Sequence, residues 1–319
     1  MKAIYYSRYG PPEVLQLREV ERPVPGPDEV LIKVHATSVT NADCYMRRAE
    51  TLLSRLFLGL FRPRRNILGT EFAGDVAAVG EDVVKFRVGE KVYGFTGFRL
   101  GAYADYVCLS QHDSLVAMPE TLNYDEAAAI VDGTTTALFF LKDKANIRKG
   151  QKILIVGGSG SIGSAAIQVA RYFEAEVTAV CSSRNFDLVR SLGAIKVIDY
   201  SKEDFSKNGE RYDIIFDAVN KSSFAVCRGS LTNNGCYLTT VIRTKCYLQM
   251  CWTKLSRGKR VFCGMSIDKT DSLRMLNGLI ASGDYRPVID RSYRLEDMVE
   301  AHHYVEGGHK KGNVAIIVA

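Results

Sequence analysis

The 319-residue chain reads as an α/β protein, a doubly wound parallel sheet joined to an antiparallel β domain. Three observations predict this. Residues 153–163, ILIVGGSGSIG, pass from an apolar run through a glycine cluster into a helical pattern. Strand and helix patterns then alternate with short connections, as βαβαβ, which specifies parallel pairing. Before residue 123 the pattern is short strands broken by turns, and the length suits two domains better than one.

In chain order, strands are expected at 1–5, 30–36, 72–79, 91–94 and 103–108, with the turn PVPGPDEV leading into the second. An acidic segment at 125–130 starts a helix that runs to 141 with an interruption near Gly133 and bridges into the second domain. There, Ile153, Leu154, Ile155 and Val156 are uncharged, as a strand buried on both faces should be. Ile162, Ala165, Ala166, Val169, Ala170 and Phe173 recur at helical spacing behind the glycines. A strand at 176–181, a helix at 186–192 ending at Gly193, and strands at 196–198, 212–217, 235–240 and 260–262 complete a six-stranded sheet. Helices at 272–282 and 295–306 follow, then a strand at 313–318 returned to the first domain. The domains are therefore expected at 1–123 with 266–319, and at 124–265.

Gly158, Gly160 and Gly163 fit G-x-G-x-x-G, with Ser159, Ser161 and Ile162 between them. Between a strand and a helix, that spacing gives a tight turn, close backbone approach to a pyrophosphate and close helix packing. The helix N-terminus favours the anion. A Rossmann unit binding a dinucleotide follows. An NAD site offers Asp or Glu about 20 residues on, at the tip of the second strand. Here the tip is Cys181, Ser182, Ser183, Arg184: two hydroxyls and a guanidinium to receive a 2′-phosphate, and no carboxylate to repel it. NADPH is the expected cofactor. Arg184 also has a plainer reading as a solvated arginine at a helix start. Tyr200, ending the third strand, either lies against the adenine end or is a surface tyrosine.

At 46% hydrophobic the chain has ample core. It has no run of about 20 apolar residues, and MKAIYYSRYG lacks the apolar stretch of a signal peptide, so a soluble, cytoplasmic protein is expected. Eight scattered cysteines, in no C-x-x-C pair, read as reduced thiols. The five histidines form no metal-binding spacing, and adjacent His302 and His303 face different sides of a helix.

Charge is uneven along the chain. Six arginines against Glu50 occupy 47–65, and residues 218–267 carry eight Lys or Arg with no acid. Solvated faces and a rim around the cofactor phosphates account for both. No aromatic stacking signature of an RNA-binding domain accompanies them, so nucleic acid is not an expected partner. Residues 51–61, TLLSRLFLGLF, are apolar around most of a helix rather than along one stripe. That predicts burial over the substrate cleft or an oligomer contact, in preference to a membrane-surface helix.

Within 150–171, Leu154, Gly157, Gly158, Ser159, Gly160, Gly163, Gln168 and Arg171 resemble the signature of the zinc-free branch of the medium-chain dehydrogenase/reductases, the quinone oxidoreductase or zeta-crystallin group. Ser161 stands where that group usually has glycine. GTEFAG, VGEKVYG, GAYADYV, TTTAL, YDIIFDAV and the tail GDYRPVID with LEDMVEAHHYVEGGHKKG extend the likeness over essentially the whole chain, with Asn313 where lysine is common.

The resemblance implies a GroES-like fold for the first domain, a homodimer joined through the cofactor domains, and hydride transfer from NADPH to a small hydrophobic quinone or α,β-unsaturated carbonyl. Zinc-dependent relatives place cysteine and histidine where this chain has Thr40 and Thr70, so no zinc site is expected. By family position, Asn41 faces the nicotinamide end of the cleft and holds a ribose hydroxyl or the substrate oxygen. Thr136 contacts the nicotinamide side of the cofactor, Tyr45 donates a hydrogen bond or proton to the developing enolate, and Asp217 joins the cofactor-binding positions. Beside those roles stand plainer ones: Asn41 capping a turn, Tyr45 packing, and Asp43 capping a helix. Two other functions fit the chain: a reductase of enoyl thioesters whose phosphorylated carrier meets residues 47–65, and an NADPH-binding protein with a structural or RNA-binding role.

Overall fold

A computed structural model describes residues 1–241, 244–255 and 258–318, the side chains of Leu53 and Leu255 excepted. Arg243 and Arg257, two of the eight basic residues of 218–267, lie outside the described residues. The chain divides into two compact units. The first comprises Met1–Asp132, Asp268–Ala281 and Pro287–Ala319, and the second Gly133–Ile267 with Ser282–Arg286.

In the first unit β1 (Lys2–Tyr5) and β2 (Gln16–Glu19) form an antiparallel ribbon. A larger sheet takes β3 (Glu29–Ser38), β4 (Glu71–Val79), β5 (Lys91–Phe95), β6 (Tyr106–Ser110) and β7 (Ser114–Ala117). Between β3 and β4 lie α1 (Asn41–Arg48) and α2 (Leu52–Leu58), and α3 (Tyr124–Ala129) follows β7. Asn123 and Glu126 close a capping box at the start of α3, which packs on β3 and β4 and so belongs to this unit. The helix breaks at Ile130, and α4 (Val131–Leu138) leads into the second unit.

There, β8 (Lys152–Val156), α5 (Ser161–Tyr172), β9 (Glu176–Cys181), α6 (Phe186–Leu192), β10 (Lys196–Asp199), β11 (Tyr212–Asp217), α7 (Phe224–Cys227), β12 (Leu231–Thr239), α8 (Thr244–Leu255) and β13 (Arg260–Cys263) follow in turn. The six strands pair in parallel in the order β10-β9-β8-β11-β12-β13. Leu154, Val156, Val180, Ile198 and Ile215 form part of one buried cluster on this sheet.

The remaining elements, α9 (Thr270–Ala281), β14 (Ile289–Arg294), α10 (Met298–Glu306) and β15 (Asn313–Ile317), return to the first unit. Its sheet runs β14-β15-β3-β4-β5-β7, with β6 also on β3, and the closing strand β15 pairs antiparallel with β3. The polar strands β2 (QLRE) and β14 (IDRSYR) carry no apolar alternation and stand at sheet edges, held by backbone pairing. Among the described residues no helix is long and apolar enough to cross a membrane.

Of the two placements expected for residues 51–61, burial within the chain does not hold: Leu52, Leu56, Phe57, Leu60 and Phe61 are exposed in the single chain. The cause is local. Gly59, at φ +126°, ends α2 after two turns, and polar groups rather than the apolar ones attach it: Arg55 Nε donates to the Ala49 carbonyl at 2.9 Å and its guanidinium lies over the Tyr9 ring.

One core pair makes the first unit sensitive to acid. His302 is fully buried on α10, its Nδ1 is 3.4 Å from Cys44 Sγ, and its Nε2 has no partner. Burial pushes the thiol up to about 12, so the neutral S–H donates to Nδ1 and leaves an orphaned Nε2–H. Burial also pushes the imidazole down to about 3. The unfolded chain, with His near about 6.5, therefore binds more protons between those two values, and stability is lost as pH falls through them. Relative to pH 7, wild type should lose about 2–3 kcal/mol at pH 4.5 through this group, a loss that His302→Leu should escape. Urea midpoints of both proteins at the two pH values check it, and equal acid sensitivity would refute it.

Candidate active site

The order of the six parallel strands reverses at β8, which is followed by β9 on one side and flanked by β11 on the other. In open α/β sheets that reversal leaves a crevice at the carboxyl ends of the strands, where ligands bind. The glycine turn stands there. Gly157 takes φ +82°, and a Cβ on it would collide with Val219. A Cβ on Gly158 would meet the Ala179 Cβ at 2.9 Å, and one on Gly163 would fall onto the Gly157 carbonyl. Packing within the protein thus requires those three glycines. Gly160 is different: a Cβ there meets only the Gly157 oxygen, at an ordinary 3.6 Å. Gly160 is also the N-cap of α5 and makes no side-chain cap, so no cap side chain covers the first-turn amides. Room for a side chain at Gly160, at the start of a helix, fits a pyrophosphate.

Around that turn, Ser182 is half-buried while Ser183 and Arg184 are exposed just beyond β9, and Arg184 pairs with no carboxylate of the described residues. Asn185, unmarked by any motif, donates from Nδ2 to Ser159 Oγ at 2.8 Å and ties the tip to the glycine turn. A carboxylate does stand near the tip, from the next strand. Asp199, ending β10, accepts from the Ser201 hydroxyl at 2.7 Å and its N–H at 2.9 Å, and from the Ser183 hydroxyl; these bonds hold it below the usual carboxylate range. Tyr200 is exposed.

Asp217 is fully buried. Its carboxylate accepts from the N–H groups of Val219 (3.2 Å), Lys221 (3.2 Å) and Ser222 (2.7 Å) and from the Tyr237 hydroxyl (3.1 Å). It is committed to shaping the loop whose Val219 faces Gly157. Thr136 is buried on α4. Close by on that helix, a Cβ on Gly133 would come within 2.5 Å of Ser161 Oγ, so the α4 backbone lies against the start of α5. Gln168 exchanges hydrogen bonds with the Arg286 backbone, and Arg171 donates to the Asp284 carbonyl at 2.8 Å. These two signature residues fasten the 284–286 turn to α5.

In the first unit, Thr40 and Asp43 form a capping box that starts α1. Thr40 Oγ1 donates to one Asp43 oxygen at 2.6 Å and Thr70 Oγ1 approaches the other at 3.3 Å. Both hydroxyls are thus tied to one buried carboxylate, which burial pushes up to about 6. Neutral hydroxyls are poor zinc ligands, and among the described residues no group of three or more His, Cys, Asp or Glu is placed to hold a metal. Adjacent Glu71 is buried, accepts from the Ser38 hydroxyl and the Asp132 N–H, and is raised by burial. Lys269, 1% exposed, donates to Asp132 Oδ1 at 2.6 Å and lies over the Phe95 ring. Asn41 is exposed at the first helical position, next to the capping Thr40. Tyr45 is exposed, its hydroxyl 3.1 Å from Thr51 Oγ1.

Family models described as "Alcohol dehydrogenase GroES-like domain" and "Zinc-binding dehydrogenase" match residues 26–120 and 192–316. The chain is 31% identical to the chloroplastic quinone-oxidoreductase QR1 of Triphysaria versicolor, over 99% of this chain and 98% of that one. It is 29% identical to the chloroplastic NADPH-dependent alkenal/one oxidoreductase of Arabidopsis thaliana, over 99% of this chain and 79% of that one. Among solved structures, the quinone oxidoreductase from Coxiella burnetii is 30% identical with a TM-score of 0.90, covering 100% of this chain and 99% of that one. A Rossmann sheet with a glycine turn and a GroES-like β unit in one chain define a medium-chain dehydrogenase/reductase. The chain belongs to the quinone oxidoreductase group of that family, oxidoreductases that bind a nicotinamide cofactor.

Proposed function

We propose that the chain is an NADPH-dependent reductase of quinones and α,β-unsaturated carbonyls that works without zinc. The observation that carries this reading is the glycine turn at the strand-order reversal, with Gly160 open to a ligand while its neighbours are closed by packing. When bound, the reduced nicotinamide supplies the hydride. The pyrophosphate lies on the first-turn N–H groups of Ser161, Ile162 and Gly163 at the start of α5, while Gly158, Ser159 and Gly160 shape the turn beneath it, the Gly158 and Gly160 N–H groups being donated to the Val180 and Gly157 carbonyls. Arg184 and the Ser182 hydroxyl receive the 2′-phosphate, joined by the Ser183 hydroxyl once it turns from Asp199, Tyr200 borders the adenine end, Thr136 lines the nicotinamide side, and Asp217 acts through the loop it builds. Thr40 and Thr70, tied to Asp43, leave the substrate oxygen to hydrogen-bond donors: Asn41 orients it and Tyr45, braced by Thr51, supplies a proton. Electrophilic acceptors suit such a site, since hydride addition to them needs no Lewis acid. The names of the relatives, a quinone oxidoreductase and an NADPH-dependent alkenal/one oxidoreductase, support the acceptor class.

The test is NADPH consumption with quinones, alkenals and enoyl-CoA esters. Turnover of the first two is expected, undiminished by metal chelation. Turnover confined to enoyl thioesters would move the assignment to carrier-linked substrates, and none with any acceptor would contradict it. The same preparation is expected to sediment as a homodimer, at twice 35.4 kDa.

A further inference from the structure

Leu52 (69% exposed), Leu56 (55%), Phe57 (72%), Leu60 (41%) and Phe61 (91%) stand in solvent within ten residues of chain. Leu52 and Leu56 lie one helical turn apart on α2, and Phe57 adjoins them. Beyond Gly59 the apolar exposure continues and runs directly into Arg62, Arg64 and Arg65, all exposed. No acid occurs between residues 51 and 70. The acids at the near end are already paired, Glu50 with Arg48 and Glu306 with Arg47 and Arg48. The three arginines pair with no carboxylate of the described residues.

The cluster is held in place. Thr51 caps α2, and the Tyr9 hydroxyl donates to the Gly59 carbonyl at 2.7 Å. Apolar exposure this concentrated marks an interaction surface. An acid-free cationic border beside leucines and phenylalanines is the composition of an interfacial anchor. A second copy of the chain meeting this surface about a two-fold axis would bring like charges together.

We propose that this surface docks on an anionic phospholipid bilayer. Phe57, Phe61 and the leucines enter the boundary between headgroups and acyl chains, and Arg62, Arg64 and Arg65 pair with lipid phosphates. The docking is peripheral and does not depend on the reaction proposed above.

Flotation of the purified chain with vesicles of phosphatidylcholine, and of phosphatidylcholine mixed with phosphatidylglycerol, tests it. Binding to the anionic vesicles should exceed that to neutral ones by on the order of a hundredfold at low salt, and fall as salt rises. Phe57→Ser with Phe61→Ser should weaken it by roughly tenfold or more. Arg64→Ala with Arg65→Ala should do likewise and flatten the salt dependence. Both double variants should melt at the wild-type temperature, since all four side chains lie in solvent. Flotation with neither vesicle, or flotation that neither double variant weakens, overturns the proposal. So does loss of self-association in Phe57→Ser with Phe61→Ser without lipid binding, which would assign the surface to a second copy.

Discussion

Gly160→Ala is expected to leave thermal stability within about 0.5 kcal/mol of wild type while weakening NADPH binding by at least roughly tenfold. Three residues away, Gly163→Ala should cost about 3 kcal/mol of stability. The two glycines serve different masters. A methyl group on Gly163 would fall onto the Gly157 carbonyl and crowd the Gly158 backbone, so β8 and α5 must separate to admit it. On Gly160 the same methyl meets nothing closer than 3.6 Å, and the residue's φ of −81° suits any side chain. The protein alone does not need glycine there, whereas a pyrophosphate lying on the turn does. Thermal melts and a fluorescence titration of the two variants separate these effects. Wild-type NADPH affinity in Gly160→Ala would place the pyrophosphate elsewhere.

The parallel sheet was legible because its central strands carry short apolar runs that are buried, as Ile153–Val156 does in β8. The polar edge strands β2 and β14 were not, since backbone pairing holds them and leaves no period in the side chains. Asp43 could be read as a cap because the capping box spans three residues. The network of Glu71, Asp132 and Lys269 could not, its partners being 61 and 137 positions apart. Asp199 reaches the second-strand tip only through lateral pairing with β9, where it lies opposite Cys181. For residues 51–61 the count of apolar side chains implied burial, but burial also needs a surface to receive them, and Gly59 turns the chain away first.

The proposed choice of NADPH over NADH depends on the tip of β9. Arg184 stands exposed at the tip of β9, next in the chain to the half-buried Ser182 and the exposed Ser183. The nearby Asp199 is mostly buried and its oxygens are taken by Ser201 and Ser183. A charge-assisted hydrogen bond from Arg184 to the 2′-phosphate is worth about 1.5–3 kcal/mol, and NADH has no group to use it. The deciding measurement is the affinity ratio of NADPH to NADH in wild type and in Arg184→Ala. Wild type is expected to prefer NADPH by roughly tenfold to a hundredfold. Arg184→Ala should lose most of that preference while holding NADH as before. A wild-type preference for NADH, or a ratio that Arg184→Ala leaves unchanged, would contradict the account.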